Sequence, residues 1–141
     1  MTLNKEKMMT LVGEAHRALG MLEGYREEQI DEILKNSEKL SAIKYQFVVL
    51  AEACIDICNH VAARVFAQTP ESYVGCFELL GQRSVIDSSL VQRMGRLAGL
   101  RNLLVHLYWK VDDRRVIEVL RKDLGSVREY LAVMTKLASE A

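Results

Sequence analysis

Residues 39–67 read KLSAIKYQFVVLAEACIDICNHVAARVFA. Ile43, Phe47, Leu50, Cys54, Ile57, Val61 and Val65 recur there at steps of three and four, which puts them on one stripe of a helix running from about 39 to 67. So long an apolar seam marks the central helix of its domain. Glu52, Asp56 and Asn59 share a stripe roughly opposite it with Tyr45, Val48 and Val49, so that face is mixed rather than fully solvated.

Asn36-Ser37-Glu38 is a natural break before this helix. Upstream, Met8, Leu11, Ala15, Leu19, Leu22, Ile30 and Ile33 fall on one stripe and predict a long first helix over roughly 4–36. Gly13, Gly20 and Gly24 lie opposite, each costing about 1 kcal/mol against Ala. They fit tolerated surface glycines or a break near Gly20 to Gly24, with a close-packed helix or subunit contact as the alternative. Downstream, Thr69-Pro70-Glu71 supplies an N-cap and a Pro at the first helical position, so a short helix should run through Leu80 and end at Gly81. Asp87 or Ser88 caps a third long helix with Leu90, Met94, Leu97 and Leu104, left near Trp109-Lys110. Asp112 or Asp113 caps a fourth carrying Val116, Leu120, Leu124, Val127, Leu131 and Met134. Four such helices bury their stripes most simply as an antiparallel all-α bundle, with the short helix covering one end.

The composition agrees. In 141 residues, 50% hydrophobic with one Pro and 6% aromatic residues, helices are favoured over sheets and one domain spans 1–141. Nineteen Lys/Arg cancel nineteen Asp/Glu, which excludes a uniformly basic nucleic-acid coat. The balance is local, however: residues 1–82 hold 8 Lys/Arg against 12 Asp/Glu, whereas residues 83–128 hold 10 against 5. Arg83, Arg93, Arg96, Arg101, Lys110, Arg114 and Arg115 gather around the turn between the last two long helices, where a phosphate would meet guanidinium groups and a helix N-terminus; the alternative is a plain solvated face.

Cys54, Cys58 and Cys76 are odd in number and lack CxxC spacing, which argues against a disulfide framework and for a reducing, cytoplasmic location. They read as buried thiols, not as a metal cluster with His60, which points about 120° away from Cys54. The N-terminus lacks a signal-peptide core, and no stretch of about 18 uncharged apolar residues occurs, so neither secretion nor membrane spanning is expected. His16 reads as a surface histidine, and Trp109 as a core or interface plug, with base stacking by Trp109 or Tyr25 as the alternative. Neither GxGxxG nor a P-loop occurs, so no bound cofactor or metal is expected.

Chemistry concentrates in Gly99–Trp109, GLRNLLVHLYW, where Arg, Asn, His and Tyr interrupt an apolar helix end. With Arg101 at zero on an ideal helix, Val105, Asn102 and His106 fall at about 40°, 100° and 140°, and Tyr108 about 20° to the other side. Arg101 and His106 then converge on one phosphate only if the long Arg reaches over or the helix end loosens. The residue types suit metal-independent RNA cleavage: His moves a proton, Arg stabilises charge on phosphate, and the RNA's own 2′-hydroxyl attacks. Glu52 or Asp56 could orient Arg101 or His106 from the central helix. The plain alternative is a capped helix end whose His106 and Asn102 satisfy buried backbone groups.

Arg101-Asn102-x-x-x-His106-x-Tyr108 resembles the Arg-x4-His-x-Tyr motif of HEPN domains, in particular the HepT-like branch. RNLLVHLYWKVDDRRVIEVL is similar to that branch's run from motif helix into last helix, LAEACIDICNHVAA to its second helix, and ESYVGCFELL to its short connecting segment, so the resemblance covers roughly 40–130. It implies a homodimeric HEPN four-helix bundle whose paired motifs form an RNase cleft, with Arg101 and His106 catalytic and Asn102 positioning the phosphate or the His. It also implies a toxin paired with a minimal nucleotidyltransferase antitoxin that transfers AMP to Tyr108, placing bulk and negative charge beside Arg101. Arg96, Lys110, Arg114 and Arg115 would then contact RNA. The alternatives are a non-catalytic HEPN binding or scaffold subunit beside a nucleotidyltransferase, and a purely structural helical dimer, which would have no use for Arg101, Asn102 and His106.

Overall fold

A computed structural model of the chain describes residues 2–140. Seven α-helices and one short 3-10 turn follow one another among them: α1 Lys5–Tyr25, α2 Ile30–Lys35, α3 Ser37–Phe66, α4 Tyr73–Gln82, α5 Ser88–His106, the 3-10 turn Tyr108–Lys110, α6 Asp113–Lys122 and α7 Leu124–Ser139. The all-α bundle expected from the sequence is present.

The central helix is α3. It packs against α1 along its length and against α4 and α5, while α7 closes against α1 and α5 and the short α2 and α6 meet at one end. Its seam, Ile43, Phe47, Leu50, Cys54, Ile57 and Val61, is fully buried, each large aliphatic or aromatic side chain contributing roughly 1.5–3 kcal/mol. Val65, the last residue assigned to that seam, is exposed. On the α7 side Tyr130 is buried edge-on to Phe77, ring centroids 5.7 Å apart, and its hydroxyl donates to the Cys54 carbonyl at 2.9 Å. A buried phenol thus keeps the hydrogen bond it needs.

Caps set the helix starts. Asn4, Asn36 and Asp87 accept from Lys7, Lys39 and Leu90 backbone N–H groups, and Asp112 accepts from Arg114. Two boundaries differ from the sequence expectation because apolar periodicity runs on through a change of direction. The first helix does not reach residue 36: α1 stops at Tyr25, and α2 starts at Ile30 without a side-chain cap. The intervening turn is tied to other elements, the Glu28 carboxylate pairing with Lys39 and its carbonyl accepting from Arg121. Likewise the fourth helix divides at Asp123 into α6 and α7, while Leu120, Leu124 and Val127 all stay buried. Gly13, Gly20 and Gly24 face open space, so no helix of the same chain packs closely on them.

The short helix also begins later than expected. Ala67 takes a left-handed conformation at the α3 C-terminus (φ 53°) and Gln68 N–H donates to the Ala62 carbonyl at 3.0 Å, so Thr69-Pro70-Glu71 forms the connection, not a helix start. Ser72 is the cap instead, accepting from Gly75 N–H at 2.9 Å, and α4 runs one residue past Gly81. A Cβ at Gly81 would stand 2.5 Å from Val91 Cγ2, so the glycine permits the close crossing of α4 and α5.

A further correction concerns the cysteines. Cys58 on α3 and Cys76 on α4 are joined as a disulfide, Cα–Cα 6.2 Å. Partners 18 residues apart on two facing helices leave no spacing signature in the sequence. Cys54 alone is a free buried thiol, and burial pushes its pKa far up.

Candidate functional site

The motif residues lie where α5 ends. The helix stops at His106 and not near Trp109: Leu107 leaves helical geometry (φ −133°, ψ 44°), and Tyr108 enters the 3-10 turn. Tyr108 therefore does not share a helical stripe with Arg101. Arg101 and His106 do converge, Nη1 to Nε2 3.5 Å, because the long guanidinium side chain reaches across the helix face. Nη1 also donates to Asn102 Oδ1 at 3.1 Å.

Glu52 on α3 fixes the guanidinium from the opposite side. Arg101 Nε donates to Glu52 Oε1 at 2.7 Å and Nη2 lies 2.5 Å from the same oxygen, leaving Nη1 for Asn102 and His106. The Arg101 side chain is 12% exposed, whereas Asn102 and His106 are open to solvent. Tyr73 of α4 presents its ring 5.1 Å from Arg101 Cζ, a cation–π contact that no sequence motif announced. A largely desolvated guanidinium with one face toward solvent can accept charge building on a phosphate, and an adjacent imidazole can take or give a proton.

Asp56, expected as a possible partner of Arg101 or His106, is elsewhere. It lines a groove between α1 and α3 with Lys7, Leu11, Asn59, His60 and Arg64. Burial and then the Glu52 charge push its carboxyl pKa up, while Lys7 pulls it down. His60 in the same groove is buried, and its Nε2 accepts from Asn4 N–H at 3.1 Å. Burial, Lys7 and Arg64 lower its pKa.

The basic residues other than Arg101 divide among four places. Arg96 and Arg115 line a cavity of about 370 Å³ between α5 and α6, together with Gly99, Glu118 and Lys122. Lys110 and Arg114 are exposed at the turn itself. Arg83 and Arg93 are not part of the cluster: Arg83 stands 5.0 Å over the Phe66 ring, and Arg93 bonds Ser126 and Glu129. Trp109 is 76% exposed and so is no core plug. His16 is exposed as expected.

Tyr108 is half exposed and faces α3. Lys44 Nζ lies 4.8 Å from its ring centroid and 2.7 Å from Asp113 Oδ1. Lys44 was not singled out in the sequence; the only signal was a lysine embedded between Ile43 and Phe47 of the seam. No described helix is long and apolar enough to cross a membrane.

Residues 15–134 match the model of the family described as Ribonuclease HepT-like. The mRNA nuclease HepT of Shewanella oneidensis is 32% identical over 83 residues, 59% of this chain and 62% of that protein. The tRNA nuclease HepT of Aphanizomenon flos-aquae is 25% identical over 111 residues, 79% of this chain and 74% of that protein. In overall shape the chain is similar to the tri-AMPylated Shewanella oneidensis HEPN toxin solved in complex with its MNT antitoxin, with a TM-score of 0.85 and 22% identity over 92% of this chain and 97% of that one. The match spans less than two thirds of the first relative and about three quarters of the second, and Arg101, Asn102, His106 and Tyr108 lie inside the residues 15–134 that match the family model. This chain belongs to the HepT-like family.

Proposed function

We propose that this protein is a metal-independent endoribonuclease toxin, homodimeric and neutralised by a minimal nucleotidyltransferase that transfers AMP to Tyr108. The observation that carries it is the 3.5 Å approach of Arg101 Nη1 to His106 Nε2 at a solvent-facing helix end. His106 takes the proton of the RNA's 2′-hydroxyl or gives one to the leaving 5′-oxygen, and Arg101 stabilises the negative charge that builds on the phosphoryl oxygens. Asn102 positions the phosphate or the imidazole, and Glu52 holds Arg101 in place. The attack yields a 2′,3′-cyclic phosphate and a 5′-hydroxyl. Arg96, Lys110, Arg114 and Arg115 contact flanking phosphates, and a second copy brings its own motif to the same cleft.

The test is cleavage of a mixed RNA pool in EDTA, without antitoxin, by wild type and by His106→Ala matched in circular dichroism and oligomeric state. Cleavage to cyclic-phosphate ends that vanishes in the variant supports the enzyme. The alternative, a silent HEPN subunit, is favoured by one feature, the Glu52 carboxylate that already neutralises Arg101. It predicts RNA binding that weakens steeply with salt and no cleavage by either protein.

A further inference from the structure

The cavity beneath Tyr108 is about 220 Å³ and is lined by Ser41, Lys44, Tyr45, Val48, Leu104 and Tyr108. We propose that it seats the nucleotide attached to Tyr108, with Lys44 as the cation that pairs with the new phosphodiester; this rests on Tyr108 being the modified residue.

Lys44 is unusual for a lysine. Its side chain is 11% exposed, between the buried Ile43 and Phe47 of the central helix, and a buried ammonium needs an anion close by. Asp113, at the start of α6, is that anion in the unmodified chain, at 2.7 Å and itself 42% exposed. The ammonium also lies over the Tyr108 ring, 4.8 Å from its centroid, so it touches both its present counter-ion and the side chain to be modified. In the transfer, Tyr108 Oη bonds to the α-phosphorus of a nucleoside triphosphate, the bond from that phosphorus to the β-bridging oxygen breaks, pyrophosphate leaves, and the phenol proton goes to solvent. The product carries one negative charge on a group tethered beside Lys44, so the ammonium has two anionic partners, Asp113 and the phosphate, in place of one.

The rest of the cavity fits the rest of the nucleotide. Ser41 offers a hydroxyl, Val48 and Leu104 an apolar wall, and Tyr45, 64% exposed in the first third of α3, a ring on which a base can stack. Seated there, the adduct lies folded onto α3 near the end of α5 instead of trailing into solvent, and it keeps its charge at the RNA cleft.

The experiment modifies wild type, Lys44→Gln, Lys44→Arg and Asp113→Asn with a minimal nucleotidyltransferase and ATP, confirms the added AMP on Tyr108 by mass and peptide mapping, and follows its removal by a phosphodiesterase. Lys44→Gln should lose AMP faster than wild type, on the order of tenfold, the size of one charge-assisted hydrogen bond. Lys44→Arg should stay near wild type, and Asp113→Asn, whose lysine has lost its competitor, should lose AMP more slowly. A Lys44→Gln chain that fails to take AMP while Lys44→Arg accepts it also supports the seat. If Lys44→Gln does not fold, Asp113→Asn decides alone. Equal release from every folded variant overturns the nucleotide seat and leaves the Tyr108 reading intact; wild type that takes no AMP at Tyr108 overturns both.

Discussion

Arg101 and Glu52, 49 residues apart in the chain, are joined through two guanidinium nitrogens on one carboxylate oxygen, and this leaves a single nitrogen of Arg101 to meet Asn102 and His106. The carboxylate both aims the guanidinium and cancels part of its charge. Glu52→Gln separates these effects: RNA should bind more tightly, lowering KM, while kcat falls by about tenfold as the aim is lost. Steady-state cleavage of a defined RNA checks it, and an unchanged kcat would mean that Tyr73 and Asn102 suffice to orient Arg101.

His60 makes stability depend on pH. Its pKa is lower folded than unfolded, so the unfolded chain binds more protons as acid is added. The stability it contributes is complete above the unfolded value of about 6.5 and is lost as pH falls from there through the folded value. Melting temperature should therefore drop between about pH 7.5 and 5.5 in wild type, and less in His60→Gln, whose amide oxygen can still accept from Asn4 N–H. Asp56, shifted the other way, acts in a lower window: its stabilising effect is present below its unfolded pKa and lost as pH rises. Equal slopes for both proteins would sink the assignment.

The Cys58–Cys76 pair closes a loop of 18 residues between α3 and α4. Replacing both by Ala should lower unfolding free energy by about 3 kcal/mol, measured in urea without reductant. Thiol titration of the unfolded, unreduced wild type should count one group, Cys54; three would show that the pair is reduced and that its role is packing.

Tyr130→Phe keeps the edge-on contact with Phe77 and removes only the hydrogen bond to the Cys54 carbonyl. A loss of about 1 kcal/mol is expected, against roughly 3–5 kcal/mol for Tyr130→Ala, which also opens a cavity. Chemical denaturation of the two variants reads the difference directly.

The bundle was legible wherever burial follows a simple period. Ile43 through Val61 on α3, and Met8 through Leu22 on α1, face the core as their spacing requires. Periodicity cannot see a turn that preserves it, so the breaks after Tyr25 and at Asp123 stayed hidden: Ile33 beyond one and Leu124 beyond the other are still buried. Caps were read correctly at Asp87 and Asp112, and wrongly at Thr69, where the end of α3 had a prior use for the chain; Asn36, read only as a break, caps α3 as well. At the candidate site, the motif and the Glu52 stripe meet in one corner of the fold, as their spacing allowed. Lys44 and Tyr73 did not stand out, because each acquires its meaning from a neighbour on another helix.

The 30-residue α3, about 45 Å long, touches five of these features: Lys44 under Tyr108, Glu52 on Arg101, Cys54 beneath Tyr130, Cys58 bridged to α4, and His60 against the start of α1. Amide protons near its middle can exchange with solvent only when the whole bundle opens, whereas those of Tyr108–Lys110, in an exposed 3-10 turn, sit at the low end of the opening scale. The two halves of the site thus differ in kind. One is a rigid anvil held at the global unfolding energy, and the other is a small pliant hammer that a partner can reshape without disturbing the fold.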